Sequence, residues 1–360
     1  MIERFYHSLK FRLLVAFTFV AIASLSFANA ACYSKTSPPI ASTRTQTLTT
    51  PCRVIQHISG KTQVCGQPQQ VVALSPPLLD IMLALGVQPM AYAEVDLFTR
   101  RKFDRPDEQI PFLGKYVTTQ PMNLGSRDSP SQELLLWLKP DLILGEPEYN
   151  RNNYNLLAKI APTLLFRIQE KDDWQQHISA IGRALGREER AKQVIAEYQQ
   201  LIAQTKAALA PIAARQPRVL VLGFGRLAAD SFVLDPEEFV CGILQELGFE
   251  IVTVGAREQE RFSVSLEVLP QIEADAILVL PSGNNTIANA RQQWSQNPIL
   301  RSLSADKAGK VYFTDFQITR IRGPIAAEIF VKQMREVLTK EARSQKPGVR
   351  MGEDFFASSS

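Results

Sequence analysis

The sequence is poor in the residues that most often bind metal ions. Its 360 residues include 3 histidines and 4 cysteines, and they contain no CxxC, no HExxH and no histidine pair at metal-ligand spacing. A P-loop and a GxSxG motif are also missing, and the GxG of "GFGRLAAD" lacks the third glycine of a dinucleotide loop. These absences predict that the protein has no resident metal or cofactor and is not an enzyme. Catalysis by paired carboxylates in a cleft is the alternative.

The chain also lacks a strong excess of charge of either sign. It has 40 basic and 36 acidic residues, a formal net charge of +4, whereas a nucleic-acid-binding protein would need a larger and clustered positive excess. Hydrophobic residues make up 45% and charged residues 21% of the sequence, which is typical of a globular protein and of neither disorder nor a multispan membrane protein. A chain of this length predicts about two domains.

A long apolar run occurs at the N-terminus, from Leu13 to Leu25. Basic residues precede it and Ala28-Asn29-Ala30 follows it, which is the pattern of a secretory signal peptide over residues 1–30 and predicts export to the periplasm. An uncleaved membrane anchor is the alternative. Cys32 is a candidate for N-terminal lipidation, although Asn29 stands where a bacterial lipobox normally has Leu. The Ser/Thr/Pro-rich stretch 31–51 predicts a flexible tether.

An exported chain meets oxidising conditions, so Cys52 and Cys65 are a candidate disulfide. They flank "RVIQHISGKTQV", two alternating runs around Ser59-Gly60-Lys61 that predict a hairpin. Two unpaired thiols are the alternative. Cys241 lies in an apolar helical stretch and is interpreted as a small buried hydrophobic residue.

The chain repeats one pattern in its two halves. "SQELLLWLKPDLIL" at 131–144 and "SLEVLPQIEADAIL" at 265–278 each predict a helix led by Ser-x-Glu and then a buried strand. Upstream, Val71 and Arg218 each open a strand, loop, helix and strand, and Leu-Gly closes each helix. The sequence therefore predicts an α/β protein with two Rossmann-like lobes, at 52–172 and 212–342, and a tail at 343–360.

A helical segment is predicted between the lobes, at 173–211. Apolar residues at helical spacing past Gly186 indicate a helix of about 23 residues, or roughly 34 Å, which is long enough to join the lobes and stiff enough to keep their hinge motion small.

Two facing α/β lobes form a cleft walled by the loops that follow their strands. These loops are rich in arginine, which binds carboxylates and other anionic oxygens through a two-pronged donor, so the sequence predicts an acidic ligand. Solvated surface charge is the alternative for any one arginine. The arginines in or beside these loops are Arg100, Arg101, Arg105, Arg127, Arg151, Arg226, Arg320 and Arg322. Aromatic residues that can supply flat apolar walls are Tyr92, Tyr116, Tyr149, Phe224 and Phe316.

The ordered series of these features resembles the periplasmic iron-siderophore binding proteins of ABC importers. The resemblance lies in an export signal, a hairpin, "QQVVALSPPLLDIMLALGVQPMAYAEVD", "LKPDLILG", "KIAPTLLF", a long interlobe helix and a second α/β lobe. It covers roughly Cys52 to Leu338 and is similar in style to cyanobacterial members. It implies the helix-linked class of fold, also called class III, which includes the vitamin B12 binder.

The resemblance assigns roles to particular residues. In the vitamin B12 binder one glutamate on each lobe pairs with arginines of the permease, and the matching positions are Glu133 and Glu267. Helix capping by Ser-x-Glu is the alternative for both. Similarity of "LGSRDSPSQELL" to hydroxamate-siderophore binders implies a ligand contact at Arg127 and a second at Tyr149 or, one place on, Asn150. Similarity of "TRIRG" to citrate-type binders implies ligand contacts at Arg320 and Arg322.

These observations predict a monomeric substrate-binding protein for iron transport. It captures a ferric siderophore, already chelated and either citrate- or hydroxamate-type, and delivers it to an ABC permease dimer. A binder of haem or a corrinoid has the same fold and is the alternative ligand class. The predicted ligand-binding residues are Arg127, Tyr149, Arg226, Arg320, Arg322, Arg100 and Tyr116.

Overall fold

The structure is a computed structural model that describes residues 51–94, 103–225, 231–254 and 261–344, all within one compact unit. The strands are β1 Cys52–His57, β2 Gly60–Cys65, β3 Val71–Ala73, β4 Pro89–Tyr92, β5 Met122–Asn123, β6 Leu142–Gly145, β7 Thr163–Leu165, β8 Arg218–Phe224, β9 Ser231–Leu234, β10 Glu250–Ile251, β11 Arg261–Ser263, β12 Ala276–Pro281 and β13 Val311–Phe313.

The helices alternate with the strands along much of the chain, as an α/β fold requires. The α-helices are α1 Pro76–Ala84, α2 Pro106–Gln109, α3 Gln132–Leu138, α4 Pro147–Asn150, α5 Tyr154–Ile160, α6 Asp173–Leu185, α7 Glu188–Ala213, α8 Phe239–Glu246, α9 Ile287–Gln296, α10 Pro298–Ser302, α11 Ser304–Lys307, α12 Ile318–Ile321 and α13 Pro324–Ser344. Two 3₁₀ helices span Gly114–Tyr116 and Leu266–Gln271. Over these described ranges, no helix combines the length and the apolar character needed to cross a membrane.

The predicted hairpin is formed by β1 and β2, with Ile58 and Ser59 in the turn. Cys52 and Cys65 lie opposite each other in the register and are joined by a disulfide. The hairpin packs on the first lobe, because the backbone N–H of Ile58 donates to the carbonyl of Leu165 at 3.1 Å.

The first lobe contains a five-stranded parallel sheet in the order β5-β4-β3-β6-β7. Every residue of β3 and β6 is buried, as expected for a parallel sheet covered on both faces. Strand β3 lies between β4 and β6, so the direction in which successive strands are added to the sheet changes at β3. The loops after β3, β4 and β6 therefore lie next to one another at the carboxyl edge of the sheet.

The second lobe repeats the first only in part. Its six-stranded sheet has β8 at the centre, with β10 and β12 parallel to it and β13 parallel to β12. It also includes β9, which is antiparallel to β8, and β11, which is antiparallel to β9. The repeat pattern predicts neither strand. The second Ser-x-Glu segment is a 3₁₀ helix, not an α-helix like α3, since it contains Pro270 and proline has no backbone N–H to donate.

The helical segment between the two sheets consists of α6 and α7. Gly186 separates them with a left-handed φ of 66°, and α7 has 26 residues, about 39 Å at 1.5 Å per residue. Helix α7 packs on α6 and on α13, so the first lobe, the interlobe helix and the last helix share one continuous hydrophobic core.

Candidate functional site

Polar side chains from both lobes meet at the carboxyl ends of the first lobe's strands. Glu94 follows β4, Glu146 follows β6, and Arg320 and Arg322 belong to the segment that includes α12 of the second lobe. We call the following residues the interlobe cluster: Glu94, Arg127, Glu146, Gln169, Arg320 and Arg322.

Arg320 crosses from the second lobe to Glu94 of the first. Its Nη2 lies 2.6 Å from Oε1 of Glu94, and the two side chains are 21% and 11% exposed. The hydroxyl of Tyr92 donates to the other Glu94 oxygen at 3.0 Å. Burial, followed by the negative charge of Glu94, raises the pKa of Tyr92 well above its usual value, so this hydroxyl stays protonated and holds the carboxylate in place.

Arg322 makes a second and more deeply buried connection between the lobes. Its Nη1 donates to Oε1 of Gln169 at 2.6 Å, and its Nη2 lies 3.6 Å from Oε1 of Glu146. Gln169 in turn donates from Nε2 to the same Glu146 oxygen at 2.9 Å. The Arg322 side chain is 10% exposed and that of Glu146 is fully buried. Arg322, Gln169 and Glu146 therefore form a closed triangle of polar contacts.

Several polar atoms in this region are buried without a hydrogen-bond partner of normal geometry. Among the described residues they include Oε2 of Glu146, Oγ of Ser75, Nε of Arg322 and Nε of Arg127. Buried polar groups in folded proteins are nearly always hydrogen-bonded. The Ser75 hydroxyl interacts with the Glu146 carboxylate, so the two guanidinium Nε–H donors are the atoms that retain hydrogen-bonding capacity for a ligand or solvent.

Burial raises the pKa of Glu146 above its ordinary value, although the charge of Arg322, the Ser75 hydroxyl and the charge of Arg127 each lower it. The exposed carboxylate of Glu148 raises it further. The ionised form of Glu146 therefore depends on the nearby arginines.

Arg127 is held over the ring of Tyr149, with its guanidinium carbon 3.9 Å from the ring centroid. Asn150 fixes the loop of Arg127, since its Nδ2 donates to the Arg127 carbonyl at 2.8 Å. The Oδ1 of Asn150 accepts from the backbone N–H of Glu146 at 3.1 Å. Gly145 leaves room for this arrangement, because a Cβ there would lie 2.6 Å from Asn150 Oδ1. Of the two register choices, Tyr149 stacks on Arg127 and Asn150 is a buried structural residue.

Asp80 on α1 makes a third connection between the lobes, which the sequence patterns do not predict. Its carboxylate accepts from the backbone N–H groups of Ile325 and Ala326, each at 2.8 Å, at the start of α13. A Cβ on Gly323 would lie 2.4 Å from Asp80 Cγ, which explains the glycine there. Burial raises the pKa of Asp80 to about 8, against the backbone hydrogen bonds that lower it. The acidic residue inside the apolar "LLDIML" was the available signal.

Of the other predicted ligand-binding residues, only Tyr116 is among the described ones, and it lies outside this cluster. Tyr116 lines a cavity of about 420 Å³ between the end of α1, α7 and α13, together with Arg190 and Lys332. Arg100 and Arg226 lie outside the described residues. Arg105, which belongs to the wider set of loop arginines, pairs with Glu108 at the surface.

The two predicted docking glutamates are both exposed. Ser131 caps α3 by accepting from the N–H of Leu134 at 3.3 Å, and Glu133 sits on the same face as exposed Leu136 and Trp137. In the second lobe, the pKa of Glu267 is lowered by its own backbone N–H and by the Ser265 hydroxyl.

Within the described parts of the chain, no group of three or more His, Cys, Asp or Glu side chains is arranged to hold a metal ion. The buried thiol of Cys241 has its pKa raised by burial, in keeping with a hydrophobic role. The cluster instead suits recognition of an anionic ligand by guanidinium groups.

Two α/β lobes joined by a helix, with a polar cluster where their loops meet, define a binding protein of the two-lobed type. The sequence profile described as "Periplasmic binding protein" matches residues 71–318. The chain belongs to this family, and its fold is that of the class III periplasmic binding proteins. The resemblance on which the predicted fold rests is therefore confirmed.

Curated proteins similar to this chain include binders of iron chelates. The Fe(3+)-citrate-binding protein YfmC of Bacillus subtilis (strain 168) is 32% identical over 289 residues, which cover 78% of this chain and 84% of YfmC. The Fe(3+) dicitrate-binding periplasmic protein FecB of Escherichia coli (strain K12) is 27% identical and the match covers 72% of this chain and 82% of FecB.

Solved structures agree on the fold. The crystal structure of SirA of Staphylococcus aureus complexed with staphyloferrin B matches with a TM-score of 0.63 and 23% identity, and the match covers 80% of this chain and 98% of SirA.

Proposed function

We propose that this protein is the substrate-binding component of an ABC importer for iron. It binds a ferric siderophore, anionic and of the citrate or hydroxamate type, at the interlobe cluster and delivers it to a permease dimer in the membrane. The observation that supports this most directly is the meeting of Arg127, Arg320 and Arg322 at the facing edges of the two lobes. Relatives that are named for binding ferric citrate point to the same ligand class.

The family resemblance implies that the iron is already chelated by the siderophore when it binds, so the protein recognises the oxygen-rich outer surface of the complex. Guanidinium groups suit this task, because they form paired, charge-assisted hydrogen bonds to carboxylate oxygens. Arg127 keeps one buried donor without a partner and Arg322 keeps another. A ligand oxygen that reaches either Nε displaces no protein hydrogen bond of that atom, whereas one that reaches the Nη atoms of Arg322 must share them with Gln169 and Glu146.

A titration tests the proposed function. Trp174, Trp294 and the exposed Trp137 report binding through intrinsic fluorescence, and we expect ferric citrate or a ferric hydroxamate to change it saturably. Iron-free citrate, haem and a corrinoid serve as competitors. No response to any ferric citrate, hydroxamate or catecholate complex would contradict the proposal, and selective binding of haem or a corrinoid would replace it with the alternative ligand class.

The same proposal covers the location of the protein in the cell and its oligomeric state. We infer that the signal peptide at 1–30 is removed, that the protein works in the periplasm as a monomer, and that Cys32 is a candidate lipid anchor; these segments lie outside the described residues. Mass spectrometry of the protein isolated from its own cells measures the cleavage site and any diacylglycerol mass. A screen for hydrolysis and redox activity tests for catalysis. Absence of turnover of the bound complex would support a protein that binds its ligand without converting it.

A further inference from the structure

Glu146 occupies an unusual position for a carboxylate, fully buried yet only half satisfied. One oxygen accepts from Gln169 and faces Arg322, whereas the other has no hydrogen-bond partner of normal geometry. Desolvation disfavours an ionised carboxylate strongly unless counterions and hydrogen-bond donors offset it. The charge on Glu146 is therefore maintained by its surroundings.

Those surroundings combine two cations with one competing anion. Arg322 faces Glu146 from the end of α12 and Arg127 from the loop before α3, while Glu148 acts on it from its own short helix. Ser75 and Gln169 add neutral polar groups from the loops after β3 and β7. The two arginines that stabilise the Glu146 carboxylate are thus also proposed ligand contacts.

An anionic ligand must change this balance. Oxygens of the ligand that reach Arg127 or Arg322 place negative charge near Glu146 in a region of low effective dielectric, where like charges repel strongly. Whether the guanidinium groups turn toward the ligand or are shared with it, Glu146 loses part of its compensation. Two acidic groups that share a site hold one proton between them more tightly than either does alone.

We propose, on the basis of the function proposed above, that Glu146 takes up a proton when an anionic ligand binds at the interlobe cluster. Glu146 is then a carboxylic acid in the complex, which removes the repulsion between its charge and that of the ligand. Protonation of Glu146 thereby lets the arginines compensate the charge of an anionic ligand.

The direction of the pH effect follows from the linkage. The free protein already has the pKa of Glu146 raised above its ordinary value, and the bound ligand raises it further. Between these two pKa values the complex binds more protons than the free protein, so affinity increases as the pH falls. One linked proton changes Kd by up to about tenfold per pH unit in that window.

Isothermal titration calorimetry with ferric citrate tests the proposal. Titrations in buffers of different ionisation enthalpy at one pH give the number of protons taken up per ligand. We expect wild-type protein to take up more protons than Glu146→Gln, by up to about one per ligand. Protonation of the ferric citrate itself is common to both proteins and cancels in the difference. Glu189→Gln, which removes a highly exposed carboxylate on α7 outside the interlobe cluster, is the matched control and should give the wild-type number.

Equal proton uptake by wild type and Glu146→Gln would overturn the proposal while leaving the proposed function in place. Should Glu146→Gln fail to fold, infrared difference spectra of the wild type decide the matter. A new carboxylic-acid C=O band that appears on adding ferric citrate at constant pH, and that does not shift when the citrate is labelled with carbon-13, supports the proposal. Absence of such a band contradicts it. Wild-type protein that binds no ferric complex would instead remove the proposed function and this inference with it.

Discussion

At the scale of single residues, Glu146 determines how much stability is lost when Arg322 is replaced. Arg322→Ala leaves a fully buried carboxylate without its facing cation, and removal of one partner of a buried pair typically costs about 3–5 kcal/mol. We expect the free energy of unfolding, measured by urea titration, to fall by about that amount. Glu146→Gln in the same background should restore part of the loss, because a neutral amide needs no counterion.

The cost should also depend on pH. Without Arg322 the pKa of Glu146 rises further, so protonation at low pH removes the uncompensated charge from the folded protein. We therefore expect Arg322→Ala to be more destabilising at about pH 8 than at about pH 5. A defect that is constant over this range, or one that Glu146→Gln does not reduce, would show that Arg322 stabilises the fold through packing and not through charge.

Ligand affinity distinguishes Arg320 from a purely structural residue. Its partner Glu94 is 11% exposed, so Arg320→Ala should disturb folding less than Arg322→Ala. Loss of a charged hydrogen bond to the ligand is worth roughly 1.5–3 kcal/mol, which predicts a rise in the Kd for ferric citrate of about one to two orders of magnitude. Unchanged affinity in a folded variant would remove Arg320 from the binding site.

At the scale of elements, the sequence predicted what depends on local pattern. The buried strands "VVA" and "LILG", the glycine that ends α6 and the disulfide-bearing hairpin all follow from periodicity and from residues with restricted conformations. The 3₁₀ helix at 266–271 was not predicted. The repeated Ser-x-Glu pattern indicated the same kind of helix in both halves, although Pro270 in the second copy disfavours an α-helix there.

The cluster was predictable only on its basic side. Arginine after a strand is a recognisable sequence signal. The partners Glu94 and Glu146 are single acidic residues whose importance arises from burial and from long-range contacts. Arg322, for example, contacts Gln169, which is more than 150 residues away in the sequence. Asp80 was missed for the same reason. Long-range pairing of polar groups leaves no periodic trace in the chain.

Helix α3 and the 3₁₀ helix allow the docking proposal to be tested separately from ligand binding. Glu133 and Glu267 are exposed and lie outside the interlobe cluster, so Glu133→Ala/Glu267→Ala should leave the Kd for ferric citrate as it is while iron uptake by cells or proteoliposomes fails. Charge complementarity with the permease gives the reason. Glu189→Ala on α7, which removes another highly exposed acidic side chain, is the control and should support normal uptake. Normal uptake by the double variant would contradict a docking role.

At the scale of the whole molecule, the two lobes are connected by more than the interlobe helix. Arg320 contacts Glu94, Arg322 contacts Glu146 and Gln169, and Asp80 caps α13. These polar contacts surround a core that runs through α1, α7 and α13 without interruption. The arrangement favours a binding protein whose lobes move little when the ligand enters.

Small-angle X-ray scattering measures that rigidity directly. We expect the radius of gyration and the distance distribution of the wild type to be nearly the same without ligand and with saturating ferric citrate, because the connections across the lobes already exist in the free protein. Asp80→Ala removes the acceptor of two buried N–H groups at 2.8 Å, and an unsatisfied buried donor typically costs about 1–3 kcal/mol. This variant should therefore be less stable and show a broader distance distribution without ligand, which ferric citrate narrows. A large contraction of the wild type on binding would mean that α7 and the polar contacts do not hold the lobes together, and that Glu94 and Glu146 exchange partners during a hinge closure.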